Sequence, residues 1–163
     1  MFEQLLPKRA DNTFQGPKLA LWLFAVVVIV KSVMSLVSIF NGYLTATSAD
    51  GIPLDTYTPA GAQTVLSLVA LLGLTQLMIC LVCVLVLVRY RTMVPVMFAL
   101  LLLHQLSRYI VFYFLPIVRT GTPPGPVVNL TLLAMMIVGM ALSLRGRDNL
   151  QAASSGQIVD SRV

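Results

Sequence analysis

The chain has 163 residues, of which 58% are hydrophobic and 10% charged, and it carries a net charge of +5. A soluble domain carries about 25% charged residues, and a core of this size cannot hide so much apolar surface from water. Lipid must be the missing solvent. A water-soluble enzyme and a soluble nucleic-acid-binding domain are both excluded.

In chain order, a polar segment, 1–18, precedes an apolar run from Leu19 to Phe40 whose only charge is Lys31. The run is longer than the apolar stretch of about 7–15 residues in a cleaved leader, so it reads as an uncleaved signal anchor. A loop over 42–61 follows, ending in Thr58-Pro59, a cap and first-turn pair. It is the only connection long enough to form a lid. Val65–Val88 has no charge, and "RYRT" (89–92) is a tight turn with Thr92 placed to cap the next helix. Val94–Leu115 carries His104 and Arg108, and Pro116 closes it. The stiff turn "RTGTPPGPVVN" leads to a last apolar run, Val127–Leu144, and then to a polar, small-residue-rich tail.

Each run has about 18–24 residues, enough to cross a hydrocarbon layer of roughly 30 Å at 1.5 Å per residue. The sequence therefore predicts an all-α, four-helix transmembrane bundle. Its helices fall near 19–41, 62–88, 93–115 and 125–144 within a membrane domain spanning 19–147, and 148–163 forms a disordered tail. The short turn makes the second and third helices antiparallel neighbours. With both termini cytoplasmic, eight Lys and Arg residues lie inside and only Arg119 outside, Lys31 and Arg108 being within spans. That asymmetry sets the orientation. The architecture resembles that of small four-span bacterial inner-membrane proteins, a likeness of layout and not of motif.

The informative residues are those that lipid penalises. A charge at mid-bilayer costs about 2.5–3.5 kcal/mol and normally faces protein or water. Counted from the cytoplasmic helix ends, Lys31 and Gln76 lie roughly 18 Å deep, His104 roughly 16 Å and Arg108 roughly 22 Å. Lys31, Ser35, Ser38 and Asn41 form one helical stripe, Gly73, Gln76, Cys80 and Cys83 another, and His104 and Arg108 are i and i+4. Sharing one interior exposes the fewest of them to lipid. The candidate ligand-binding set is therefore Lys31, Ser35, Gln76, His104, Arg108 and Tyr109, open to the outer face. No acid lies in any span, so the loop residues Asp50 and Asp55 are the candidate partners.

Catalytic signals are sparse. Cys80-x-x-Cys83 resembles the intramembrane pair of the vitamin K epoxide reductase family, but that family needs a second cysteine pair and this chain has two cysteines in all. Inert packing is the better reading. A single histidine cannot supply both axial ligands of a haem, and no metal-ligand cluster or catalytic triad is present in the sequence. No catalytic residue, metal or cofactor is assigned. Three functional readings stand: an accessory or scaffold subunit with a membrane partner or a second copy, a binder or carrier of an anionic or lipid-like molecule, and a quinone- or haem-linked redox protein using His104 and Tyr109.

Overall fold

The computed structural model describes residues 17–160, with side chains placed as far as Arg145. Four long helices are present among them: α1 (Lys18–Phe40), α2 (Pro59–Arg89), α3 (Val94–Phe114) and α4 (Gly125–Asp160). Each contains a stretch long and apolar enough to cross a membrane, in α4 over Gly125–Arg145. Exposure is inverted relative to a soluble bundle. Trp22, Leu72 and Leu103 are 72%, 64% and 63% exposed, while Lys31, Ser35 and Gln105 are 3%, 2% and 2% exposed. Continuous exposed apolar faces of this kind suit a hydrocarbon solvent and not water.

The ends of the helices follow local chemistry, with some shifts from expectation. Thr58 Oγ1 accepts the Gly61 N–H at 3.2 Å and Pro59 occupies the first turn, so α2 starts three residues before the expected position 62. Thr92 does not cap α3. It lies in a 3-10 turn over Arg91–Met93, and Met93 holds the cap position. Loop 42–61 is largely turned, with helical turns at Gly42–Leu44, Thr45–Ala49 and Leu54–Thr56. The expected disordered tail from 148 is instead continuous with α4 as far as Asp160. Extending an existing helix adds one hydrogen bond per residue without a new nucleation cost. Positions 161–163 of that tail, and 1–16 of the N-terminal segment, lie outside the described residues.

Packing departs from the expectation that α2 and α3 are close neighbours. The helix at the centre is α1, packed most extensively on α2 and also on α4, while α3 packs on α4 and meets α2 only sparsely. A short turn fixes two helix ends and leaves the rest of each helix free to diverge. Gly73 shows why α2 chooses α1: a Cβ there would lie 2.8 Å from Ser38 Cβ and 3.0 Å from the Ser35 carbonyl oxygen. Gly139 does the same for α3 and α4, because the Phe98 ring occupies the place of its missing Cβ.

Two apolar clusters divide the bundle along its length. Toward the end where α1 begins and α2 finishes, Phe24, Val27, Cys83, Val94, Phe98 and Leu101 belong to one core. The Phe24 and Phe98 rings meet edge-to-face with centroids 5.0 Å apart. At the opposite end, where the longer loops lie, Ala46, Ile52 and Leu54 form a smaller cluster with Val65, Leu66 and Ile117 against it. A polar layer separates the two.

Candidate functional site

The polar layer is organised by α1. Its buried stripe runs Ala20, Phe24, Val27, Val28, Lys31, Ser35, so the helical period that turns Phe24 inward also turns Lys31 inward. Lys31 Nζ donates to Gln105 Oε1 at 3.0 Å. Gln105 Nε2 in turn donates to Asn129 Oδ1 at 3.4 Å, and Asn129 Nδ2 donates to the Gly125 carbonyl at 3.0 Å. One polar chain thus crosses from α1 through α3 to α4. Ser35 Oγ donates to the Lys31 carbonyl at 2.7 Å, so its proton is committed to its own helix.

Beside this chain lies a cavity of about 140 Å³, lined by Lys31, Ser35, Gln76, His104, Arg108 and Asp50 among others. It has room for several waters or one small polyatomic anion. Two of its polar atoms, His104 Nδ1 and Gln76 Oε1, are buried with no hydrogen-bond partner. Gln76 Nε2 reaches Cys80 Sγ at 3.6 Å, a weak acceptor. Gathered here are a lysine, an arginine and an imidazole, with one carboxylate at the loop end. Nitrogen donors converging on one small volume are suited to holding an oxyanion.

A second cavity of about 120 Å³ adjoins the first, sharing Asp50, Arg108 and Asn129 with it, and is completed by Gln105, Tyr109, Phe112, Arg119 and Pro126. The guanidinium carbons of Arg108 and Arg119 lie 5.7 and 5.9 Å from the Phe112 ring centroid, which gathers two cations around one aromatic face. Asp50 faces both arginines. Burial holds its carboxyl above the usual carboxylate range, and Arg108 and Arg119 pull it back down.

At the loop end the two loop segments are tied to each other. Thr120 donates its N–H to the Gly51 carbonyl at 2.8 Å and its hydroxyl to the same oxygen at 3.2 Å. Gly51 has φ +72°, a conformation only glycine adopts without strain. Gly125, at the start of α4, packs directly on the Ala49 carbonyl, where a side chain would collide.

The structure therefore brings Lys31, Ser35, Gln76, His104 and Arg108 around one cavity, with Asp50 at its loop end. Tyr109 is not among that lining. It sits in the adjoining cavity with its hydroxyl buried and unpartnered. Asp55 is exposed in the turn Leu54–Thr56 and lines neither cavity. Three residues that sequence reasoning passed over are central: Gln105, Asn129 and Arg119. Gln105 carried a signal, for it lies four residues beyond Leu101 on the apolar face that α3 buries. Asn129 was visible only as the last residue of the stiff turn before the fourth helix, and Arg119 only as a lone outer charge. Cys80 and Cys83 are buried free thiols in the apolar core. Among the described residues no three His, Cys, Asp or Glu side chains gather as a metal site would require. Comparison with protein-family models, with curated proteins and with solved structures gives no match.

Proposed function

We propose that this is a non-enzymatic multi-pass protein of a bacterial inner membrane, with both termini cytoplasmic, that binds a molecule bearing an anionic group in the cavity among α1, α2 and α3. The observation that carries the reading is the company Lys31 keeps. It shares one cavity with Arg108 and His104, and the acid there, Asp50, stands at the loop end and is itself half-buried. Excess positive charge held in a low-dielectric layer is costly unless something neutralises it. A bound anion does so. The vacant hydrogen-bonding capacity of His104 Nδ1 adds a contact that a ligand can use.

In this reading Lys31 is a fixed charge, aimed by Gln105 and held in register by Asn129. Arg108 presents planar donors suited to two oxygens at once. Asp50 is the competitor for Arg108 that a ligand must outbid. The test is to purify the protein from its native membrane in a neutral detergent and identify co-purifying organic anions by mass spectrometry. Wild type should retain one anionic molecule per chain, and Lys31→Met and Arg108→Gln should lose it while staying folded. Equal retention by all three proteins, or none by wild type, ends the proposal. A stoichiometric partner protein in place of a small molecule would move the reading to an accessory subunit.

A further inference from the structure

We infer that the occupant of the cavity is a membrane lipid with a phosphate headgroup, admitted sideways from the bilayer between α2 and α3. The inference rests on the anion-binding reading above and adds the ligand class and the route.

The route follows from what closes the cavity elsewhere. Toward the end where α1 begins, the apolar core fills the bundle, with Phe98 seated in the space of a missing side chain at Gly139. Toward the loops, Gly51 and Thr120 are bonded across the end and Gly125 is pressed on the Ala49 carbonyl. The back is α1, which packs on both α2 and α4, and α3 packs on α4. The remaining side is the seam where α2 and α3 touch only sparsely. Leu72, which lines the cavity from α2, is 64% exposed, and His104 and Arg108 line it from α3 while half-exposed. In a bilayer that seam faces acyl chains.

The ligand class follows from size and charge. A cavity of about 140 Å³ holds a phosphate group and excludes the chains of a lipid, which would stay outside against exposed Leu68, Leu71 and Leu103. A headgroup need not sink far, because Arg108 is six residues before the end of α3 at Phe114, about 9 Å along the axis. Arg108 and Lys31 together match the several oxygens of a phosphate better than the two of a carboxylate. A water-borne phosphate has the same head chemistry and would arrive from the loop end, so the experiment tests the two sources side by side.

The experiment measures binding of dioleoyl phosphatidic acid to the detergent-purified full chain by native mass spectrometry. Inorganic phosphate is tested in parallel, alone and as a competitor. Wild type should bind one lipid per chain, and Lys31→Met should weaken it by at least about tenfold. At position 72, Leu72→Ala, Leu72→Phe and Leu72→Trp should bind progressively less lipid as the side chain grows, with an unchanged melting midpoint because the site is exposed. Inorganic phosphate should neither bind nor displace lipid. If inorganic phosphate binds in a Lys31-dependent way and the position-72 series is flat, the lateral lipid route is overturned while the anion site stands. If wild type binds neither probe, the anion site itself falls.

Discussion

The bond from Lys31 to Gln105 predicts an asymmetry between its two ends. Replacing Gln105 with Leu leaves the Lys31 ammonium buried without its acceptor, since the contact at 3.0 Å is the one side-chain bond that Lys31 Nζ makes among the described residues. Stranding a buried charge costs about 3–5 kcal/mol, and the lower figure applies here because adjoining polar cavity lets some water in. Replacing Lys31 with Met removes the bond, worth about 1.5–3 kcal/mol for a charged donor, but also removes the charge. That charge costs about 2.5–3.5 kcal/mol at mid-membrane, so the two effects nearly cancel and Lys31→Met should fall within about 1 kcal/mol of wild type. The double variant has neither charge nor orphan acceptor and loses chiefly the Asn129 contact, about 0.6 kcal/mol for an interhelical bond in a membrane. Gln105→Leu should therefore be the least stable of the three, and adding Lys31→Met should restore about 2 kcal/mol of coupling. Reversible unfolding in mixed micelles of rising SDS content, followed by circular dichroism, measures all four proteins. A double variant as unstable as Gln105→Leu would refute the reasoning, as would a Gln105→Leu no worse than Lys31→Met.

Two further outcomes test the surroundings of the site. Asp50 has its carboxyl pKa raised above the ordinary 3.8 by burial, against the opposing pull of Arg108 and Arg119. The folded state then holds this proton more tightly than the unfolded chain, so acidification through the range just above 3.8 should add stability and a rise in pH should remove it. Asp50→Asn should flatten that slope and raise neutral-pH stability, whereas a less stable Asn variant at pH 7 would show that its pairing with the arginines dominates. For orientation, reporter fusions after Arg145 should read cytoplasmic and fusions after Asp55 should read external, and the reverse pattern would overturn the basic-residue argument.

What the sequence made legible, and what it did not, has a physical division. Helix number and rough span came from apolar run length, because every backbone polar group in lipid must be satisfied within the segment. The inward turn of Lys31, Gln76 and Arg108 was legible for the same reason, as any other facing would leave them against acyl chains. Helix adjacency was not legible. It depends on glycines that admit a neighbour, and nothing in the sequence around Gly73 says that Ser35 and Ser38 are the side it meets. The pairing partner of Lys31 was missed on the same account. His104 and Gln105 are consecutive, so they point about 100° apart on the helix, and which of them faces α1 depends on how α3 is rotated against α4. Phe98 lodged at Gly139 fixes that rotation. With Phe98 and Leu101 turned inward, Gln105 follows them into the layer where Lys31 lies, and His104 is carried to the flank beside α2. The same rotation gives the site its two unlike sides. The Gln105 side is bonded through to α4, whereas the His104 side borders the sparse seam. A ligand that enters there meets the unpaired imidazole nitrogen first and the fixed ammonium last, so binding strength should depend on Lys31 and access on the residues of the seam.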